Sequence, residues 1–430
     1  MTPADARVAG SRRFRARVLT ATTPGELARE IERTDSDPEG VGIMTRKGKI
    51  YPIRLEDVPL KAAPLLKQEL LSVGGDAAHA RGVADLSVEK SPVVLLATAG
   101  QYRRLIPKLK RQPFQLSRIA EAIDVALRGF TLHSARTIRG AHRSFVVGER
   151  TLVMGVVNVT PDSFSDGGRF LAPRDAIAQA LRLESEGADL LDIGGESTRP
   201  GAKSVDPEEE WSRIAPVFEA LDGKVRVPLS VDTRNSSVAR RAVSAGADLI
   251  NDVSGLRDPA MRKTAADTGA GVVIMHMRGT PETMQENTEY GDVRLEVFSA
   301  LQDATALAVD DGITTDRILI DPGLGFGKSY EQNLELLGHL GELRSLGFPV
   351  LVGASRKSFL GKALGGAELG ERLEAGIAAA VMAAIQGASV VRSHEVAATR
   401  RALALVDAVQ QARPRSEVPV VAPPPPDPED

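Results

Sequence analysis

Polar side chains stand at or just after the ends of several short apolar runs in the second half of this 430-residue chain. Asp232 ends one run, Asn251 and Asp321 lie at the ends of two others, and Lys357 closely follows a fourth. An amide or carboxylate buried at depth is costly unless a partner satisfies it. Together the four side chains suit a flat heterocycle rich in N–H and C=O groups. Taken singly, Asp232 is more typical of a helix N-cap and Asp321 of the start of a turn.

Two short blocks, SRKS from Ser355 and RSHE from Arg392, predict an anion site. RSHE lies where the last helix is expected to begin, so free N–H groups there would face a bound anion. Arg392 and His394 are therefore candidate anion ligands, although a salt bridge and a helix cap are the alternatives. No histidine pair has zinc spacing such as HExxH. A hydrated Mg²⁺ held mainly by a diphosphate would need little more than Asn158.

Three glycine-bearing loops complete the set: NVTPDSFSDGG from Asn158, GESTRPGAKSV from Gly195 and DPGLGFGKS from Asp321. Their glycines and prolines are equally consistent with ordinary turns. The third loop lacks the GxxxxGK[ST] spacing of a P-loop, so ATP binding does not follow.

Eight β-rich apolar runs, alternating with helical patterns after Thr151, must position these residues. Eight such strands over about 250 residues predict an α/β fold, a TIM (β/α)8 barrel, rather than a doubly wound sheet. In a barrel the carboxyl ends of the strands share one mouth, where the polar residues would converge. The runs are VMGVVN, LLDIG, PLSVD, DLIND, GVVIMH, RILID, PVLVG and SVVRS.

Residues 1–140 follow another pattern and predict a smaller α+β domain before the barrel. In it, VGIMTRKGKIYPIRL is typical of a hairpin around Gly48. We expect the barrel at 141–412, with a hairpin FVVGERTLVMGV closing its floor. A disordered proline-rich acidic tail is expected at 413–430. Because the first domain carries no recognisable site, we expect an accessory module of unknown role.

Composition excludes several classes of function. A net charge of −3 is too small for general polyanion binding, which argues against nucleic acid as a partner. The absence of cysteine excludes disulfides, thiolate nucleophiles and cysteine metal sites. No run approaches the roughly 20 apolar residues of a membrane span, and no secretory signal is visible. We therefore expect a cytoplasmic protein without a membrane partner.

The motifs resemble the ordered blocks of dihydropteroate synthase from about Thr151 to Gln411. Eight blocks in order carry the resemblance: NVTPDSFSDGG, GGESTRPGA, SVDT, INDVSG, MHMRGTP, DPGLGFGK, SRKS and RSHEV. The resemblance implies a barrel that displaces pyrophosphate from a dihydropterin methylene group with p-aminobenzoate, through a cation-like pterin. Mg²⁺ is the implied cofactor.

The resemblance also implies roles for individual residues. The dihydropterin would be held by Asp232, Asn251, Asp321 and Lys357. The diphosphate would be bound by Asn158, Arg392 and His394, with Asn158 also serving Mg²⁺. The p-aminobenzoate site would be formed by Thr198, Arg199, Pro200, Phe164, Phe326, Lys328 and Ser355. The implied catalytic set is Asp232, Lys357, Asp162 and Arg392.

Two rival functions share this barrel. A pterin-binding methyltransferase would share the pterin carboxylates without needing the anion blocks, and a non-catalytic scaffold would tolerate decay in the loops, which is not seen. The helix RLEAGIAAAVMAAIQGA from Arg372 is apolar almost all round, so we also expect a homodimer through this region.

Overall fold

The computed structural model describes residues 17–20, 23–131, 135–159, 173–199, 201–202 and 204–413. These residues form two compact units, one comprising residues 17–124 with 411–413 and the other Val125–Gln410. The division after Asp124 precedes the boundary expected at residue 140. In the described ranges, no helix is both long and apolar enough to cross a bilayer. The acidic tail from residue 414 lies outside them, so its disorder stays a prediction.

The first unit has the predicted α+β composition. Its elements are α1 (Pro24–Glu32), α2 (Pro38–Thr45), β1 (Ile50–Pro59), α3 (Ala62–Ser72), β2 (Asp76–His79), a 3-10 turn (Arg81–Val83), β3 (Lys90–Thr98), α4 (Ala99–Leu109) and α5 (Leu116–Thr131), which continues into the second unit. The strands form an antiparallel sheet in the order β1–β3–β2. Val93, Leu95 and Ala97 alternate along β3 and are buried, so one face of the sheet forms a core.

The hairpin predicted around Gly48 is wrong in its first half, because residues Pro38–Thr45 form helix α2. Asp37 caps this helix by accepting a hydrogen bond from the Glu39 N–H at 2.9 Å. Pro38 stands in the first turn, where its fixed φ favours a helix. Only the second half, β1, is a strand, and it pairs with β3.

The second unit is the predicted parallel barrel. After the short strands β4 (Arg136–Arg139) and β5 (Ser144–Val147) come β6 (Leu152–Asn158), β7 (Leu190–Gly194), β8 (Leu229–Asp232), β9 (Leu249–Asp252), β10 (Gly271–Met275), β11 (Ile318–Asp321), β12 (Leu351–Val352) and β13 (Val390–Ser393). The last eight pair in the order β11–β10–β9–β8–β7–β6–β13–β12. A parallel bridge between Ile320 and Val350 joins the two ends. The TIM-barrel fold is therefore confirmed.

Helices cover the outer face of this barrel. Ile214, Val217 and Phe218 lie in the same buried cluster as Val231 of β8, which shows how helix and strand share one core. The α-helices are α6 (Pro173–Ser185), α7 (Pro207–Leu221), α8 (Ser236–Ser244), α9 (Pro259–Thr268), α10 (Val293–Asp310), α11 (Tyr330–Gly338), α12 (Ser358–Ala363), α13 (Leu373–Ile385) and α14 (Val396–Ala412). Short 3-10 segments lie at Thr315–Arg317, Leu340–Leu346 and Leu369–Glu371.

A hairpin closes the barrel floor, but it is not the one predicted. The run FVVGERTLVMGV does not pair with itself: β5 pairs with β4, while β6 joins the barrel. Ile138, Phe145 and Val147 of the hairpin share a buried cluster with residues at the start of the barrel strands. Buried Asp248 holds the turn of the hairpin by accepting hydrogen bonds from Arg143 N–H at 2.6 Å and Nε at 3.0 Å. Because this end of the barrel is filled by apolar side chains, the polar site residues are expected at the opposite end.

Candidate active site

Inward positions of the barrel change from apolar at the floor to polar at the mouth. Side chains two residues apart on a strand share a face. The floor cluster contains Leu190, Leu249, Leu319 and Val390. The residues two positions further on are Asp192, Asn251, Asp321 and Arg392. With Asp232 and Lys357, these residues are called the strand-end cluster below.

Arg392 is the centre of a buried ion-pair network in the strand-end cluster. Its Nε donates to Asp192 Oδ2 at 2.7 Å, and its Nη2 donates to Asp232 Oδ2 at 2.9 Å. Asn251 Nδ2 donates to the same Asp192 oxygen at 2.9 Å. The alternative considered for Arg392, a salt bridge, is therefore present, but its partners are strand residues inside the barrel. The network brings together three of the predicted site residues, Asp232, Asn251 and Arg392.

Asp192 is the member of this network that motif reasoning missed. It lies in LLDIG, which was treated as an apolar strand, and its side chain is completely buried. The spacing along the strand identifies it: Asp192 follows Leu190 by two residues, so both side chains point to the same face, and Leu190 lies in the floor cluster. A charged residue at such an inward position requires a partner.

Two oxygens of the network, Asp192 Oδ1 and Asp232 Oδ1, are buried without a hydrogen-bond partner among the described residues. Burial raises the pKa of Asp232 above its ordinary value, and the neighbouring Arg392 opposes that effect. Buried acceptors of this kind favour a ligand that offers N–H donors. The deep end of the mouth is therefore suited to a polar heterocycle.

Asp321 has both the structural and the binding features considered for it. Its Oδ1 accepts a hydrogen bond from the Gly323 N–H at 2.7 Å, which fixes a turn. Gly323 has φ +66°, and a Cβ there would lie 2.0 Å from the carbonyl oxygen of His276, so only glycine fits. Burial raises the pKa of Asp321 to about 6, although the Gly323 N–H opposes the shift. Burial therefore favours the protonated form of this carboxyl group more than in an exposed aspartate.

Lys357, which is half-buried, brings an ammonium group to the same end. Its charge lowers the pKa of both Asp232 and Asp321, against the larger effect of burial. The Nζ atom lies 3.7 Å from the centroid of the Phe326 ring. Burial lowers the pKa of Lys357 itself to about 8, and Arg392 adds to that effect. A cation between an aromatic ring and carboxylates provides a directed donor in a pocket of low polarity.

Lys328, which was predicted to border the p-aminobenzoate pocket, has its ammonium group bound to the backbone. Its Nζ donates to the carbonyl oxygens of Gly323 and Phe326, both at 2.9 Å, and of His276 at 3.2 Å. Lys328 thereby ties the loop after β10 to the loop after β11. Phe326 provides apolar surface, in a buried cluster with Val253, Met275, Met277 and Met284.

Ser355 and His394 form a second polar group, after β12 and β13. His394 Nδ1 lies 3.0 Å from Ser355 Oγ, which donates to Glu395 at 3.0 Å. Burial lowers the pKa of His394 well below its usual range, and Arg392 adds to the shift. The imidazole is therefore neutral, and because the Ser355 hydroxyl is donated to Glu395, the single N–H of the ring is directed to Ser355. An anion here would meet positive charge from the neighbouring arginines.

The loop after β7, residues 195–205, carries further predicted contacts and is called the β7 loop below. Thr198 is half-buried and Arg199 is exposed. The charge of Arg199 contributes to the lowered pKa of His394, so this loop lies near the Ser355 group. Asn158 pairs with Gly194, just before the loop. Three predicted residues, Asp162, Phe164 and Pro200, lie outside the described residues, and their roles stay predictions.

Comparison with known proteins agrees with this geometry. Residues 154–394, more than half of the chain, match the family model described as pterin binding enzyme. The dihydropteroate synthase of Escherichia coli is 44% identical over 261 residues, which cover 61% of this chain and 92% of that protein. This chain belongs to the family of pterin-binding enzymes that contains the dihydropteroate synthases.

Family members of known structure share the barrel. A dihydropteroate synthase from Xanthomonas albilineans, solved with 4-aminobenzoic acid, is 48% identical with a TM-score of 0.61, over 64% of this chain and 99% of that one. A probable bifunctional folylpolyglutamate synthase/dihydropteroate synthase of Haloferax volcanii is 42% identical over 347 residues, or 79% of this chain. This chain spans only 41% of the length of that longer relative.

Proposed function

We propose that this chain is a dihydropteroate synthase, a transferase of folate biosynthesis. It would join 6-hydroxymethyl-7,8-dihydropterin pyrophosphate to p-aminobenzoate and release pyrophosphate. The observation that carries the proposal is the pair of unpartnered buried oxygens, Asp192 Oδ1 and Asp232 Oδ1, beside the amide of Asn251. A dihydropterin has the N–H donors that these oxygens need and a carbonyl that accepts from an amide or an ammonium group.

In this proposal the strand-end cluster holds the dihydropterin. Asp321 faces its guanidine-like edge, where a carboxylate accepts two N–H groups in a planar arrangement. Asp232 and Asn251 bind along the ring, and Lys357 donates from beside the Phe326 ring. Because Asp232, Asn251 and Asp321 are buried and lie on strands, they need little rearrangement when the heterocycle binds.

Positive charge around Arg392 and His394 would stabilise the leaving diphosphate. The bond between the pterin methylene carbon and the diphosphate oxygen breaks, and its electron pair leaves with the diphosphate. The amine nitrogen of p-aminobenzoate then forms the new C–N bond, and one amine proton passes to solvent. Arg392 would face the charge that develops on the departing oxygens, and His394 would lie beside them, so no strong base is required. Asp162, the remaining predicted catalytic residue, lies outside the described residues.

A Mg²⁺ ion fits this site as a companion of the diphosphate. Among the described residues, no group of three histidine, aspartate or glutamate side chains could build a metal site by itself. Asn158, half-buried at the end of β6, offers one amide oxygen. Mg²⁺ commonly keeps several waters and binds substrate phosphates with few protein ligands. When bound, it would neutralise charge on the leaving group.

The p-aminobenzoate would lie between the β7 loop and the Ser355 group. Phe326 gives the aromatic ring an apolar contact. Thr198 and Arg199 offer hydroxyl and guanidinium donors that suit its carboxylate, and Ser355 would line the site. Lys328 would contribute indirectly, by holding the loop that carries Phe326, since its ammonium group binds three backbone carbonyls.

The assay is direct. The purified full chain, given both substrates and Mg²⁺, should form dihydropteroate and pyrophosphate in equal amounts. The Asp232→Asn variant serves as the control and should lose most turnover. Absence of product from the folded wild-type chain would contradict the proposal. Methyl transfer from methyltetrahydrofolate to a corrinoid would favour the methyltransferase, whereas pterin binding without either reaction would favour the scaffold.

We also propose a homodimer. Five large apolar side chains on α13 and α14 are exposed: Leu373 (40%), Met382 (46%), Ile385 (62%), Leu405 (69%) and Val409 (49%). Burying such a patch against a second copy would remove it from water. Light scattering at micromolar concentration should then give twice the chain mass of 45.7 kDa. A monomer mass would contradict this.

For the N-terminal unit we propose an accessory role, in a cytoplasmic enzyme. The alignment with the Haloferax volcanii protein is longer than the barrel unit Val125–Gln410, so it includes part of this unit. The fragment 116–413 keeps α5 whole and should retain turnover within about twofold, because no predicted site residue precedes Asn158. A folded fragment that binds pterin without turnover would contradict an accessory role.

A further inference from the structure

Glu196 is a buried carboxylate that the proposed reaction does not use. It lies at the start of the β7 loop, and its side chain is only 3% exposed. Arg234 binds it in a bidentate manner, with Nε donating to Oε2 at 2.9 Å and Nη2 to Oε1 at 2.8 Å. A charge pair with this geometry is costly to break when one partner is buried, because the Glu196 carboxylate would be left without its cation.

The same carboxylate closes the β7 loop at its base. Oε1 of Glu196 also accepts a hydrogen bond from the Val205 N–H at 3.0 Å. Val205 directly precedes Asp206, which caps helix α7. Glu196 therefore joins the two ends of the loop that carries Thr198 and Arg199. The short distance between the ends limits the conformations available to the residues between them.

Arg234 is itself fixed by the end of β8. Its neighbour Thr233 donates its backbone N–H to the Asn251 carbonyl at 3.2 Å. On the other side, Asn235 Nδ2 donates to Glu210, which is completely buried on α7. Arg234 follows Asp232 by two residues, so the strand end that supplies a pterin carboxylate also supplies the anchor of the β7 loop.

We propose that Arg234 is a positioning residue for the second substrate: through Glu196 it holds the β7 loop in the conformation that receives p-aminobenzoate. This inference rests on the proposed function, because it takes Thr198 and Arg199 as contacts of p-aminobenzoate. The pterin site depends less on such an anchor, since all of its proposed groups except Lys357 lie on the strands themselves. Loss of the anchor should therefore affect one substrate and spare the other.

The test compares Arg234→Ala with Arg240→Ala, a control that removes the exposed ion pair between Arg240 on α8 and Asp267 on α9. Arg234→Ala should raise the KM for p-aminobenzoate about tenfold, equivalent to a free energy well within that of one buried charged contact. The kcat should change less than twofold, and calorimetry should give an unchanged Kd for dihydropterin pyrophosphate. Hydrogen exchange should become faster in residues 197–204, while Arg240→Ala leaves every value unchanged.

Arg234→Lys keeps the charge but cannot form both hydrogen bonds, so its KM should fall between the wild type and Arg234→Ala. If Arg234→Ala does not fold, Arg234→Lys and Glu196→Gln carry the same test. An unchanged KM for p-aminobenzoate would overturn the inference, as would an equal loss of affinity for both substrates. If the wild type makes no dihydropteroate, the proposed function fails. Unchanged hydrogen exchange in the β7 loop of Arg234→Ala would separately overturn the role of Arg234 as its anchor.

Discussion

The strand-end cluster and the β7 loop differ in how their polar groups are held. In the cluster, Asp192 is 0% and Asp232 6% exposed, and both are bound by Arg392. In the loop, Arg199 is exposed and Thr198 half-buried, and the loop is tied at its base through Glu196. The register of the barrel strands sets the first arrangement. The second depends on a few anchoring contacts.

Because of this difference, substitutions in the two regions should differ in their effects on folding stability and on substrate binding. In the strand-end cluster the groups that would bind the pterin also neutralise one another, so substitutions there should weaken both folding and binding. In the β7 loop, most substitutions remove exposed groups and should leave the fold unchanged. Variants in the strand-end cluster and in the β7 loop can measure these effects separately.

The largest effect is expected from Arg392→Ala. The change leaves the buried carboxylates of Asp192 and Asp232 without their cation, which should lower the free energy of unfolding by about 3–5 kcal/mol. Affinity for dihydropterin pyrophosphate should fall as well, because Arg392 would face the diphosphate. Denaturant unfolding and calorimetry measure the two effects.

The matched comparison in the loop is Arg199→Ala. Arg199 is exposed, so the free energy of unfolding should change by less than about 0.5 kcal/mol. If Arg392→Ala were as stable as Arg199→Ala, the buried network would not contribute to folding, and the contrast between the two regions would be lost.

Two glycines give an intermediate effect. Gly323 (φ +66°) has no room for a Cβ, which would meet the His276 oxygen at 2.0 Å, whereas Gly201 in the β7 loop (φ +78°) has nothing within 4 Å. Gly201→Ala should cost about 1 kcal/mol, from the left-handed backbone alone. Gly323→Ala should cost about 2–3 kcal/mol or more, since the turn at Asp321 must also shift. Equal losses in thermal unfolding would contradict a rigid strand-end cluster.

The fold was predictable because its signal repeats. Eight apolar runs in alternation with helices determined the barrel, and each run corresponds to an observed strand. The floor hairpin was misassigned because FVVGERTLVMGV contains two β-rich halves, and only the earlier strand Arg136–Arg139, in a polar segment, reveals the true partner. The segment before Gly48 was misassigned because its apolar residues suit a strand, while the capping residue Asp37 determines a helix.

Motif reasoning found the strand-end residues that lie at the ends of apolar runs. It missed Asp192, which lies inside an apolar run. Asp192 is identified only from its position two residues after Leu190, which places both side chains on the inner face of the barrel. Motif reasoning also assigned Lys328 to the pocket from its place in a motif, whereas the three carbonyls that its ammonium group binds come from two separate loops. Contacts between distant loops cannot be derived from spacing along one chain.

The remaining prediction concerns pH and separates Asp321 from the rest of the cluster. Burial raises the pKa of Asp321 to about 6. In the ligand-free protein, the Asp321 carboxyl group therefore binds its proton more tightly in the folded state than in the unfolded chain, where the pKa of an aspartate is about 3.9. The contribution of Asp321 to the free energy of unfolding should accordingly be full below about pH 4 and should decrease as pH rises to about 6.

Pterin binding should show the opposite trend, because only the ionised carboxylate accepts N–H hydrogen bonds with both oxygens. At pH 5 about one molecule in ten has Asp321 ionised, so affinity should be about tenfold weaker than above pH 7. The ligand for this measurement is 6-hydroxymethyl-7,8-dihydropterin, since it carries no phosphate that titrates in the same range. Calorimetry from pH 5 to pH 8 should show the rise in the wild type, and Asp321→Asn should bind more weakly with most of the rise removed. If the variant kept the full dependence on pH, Asp232 rather than Asp321 would be the group that titrates as the heterocycle binds.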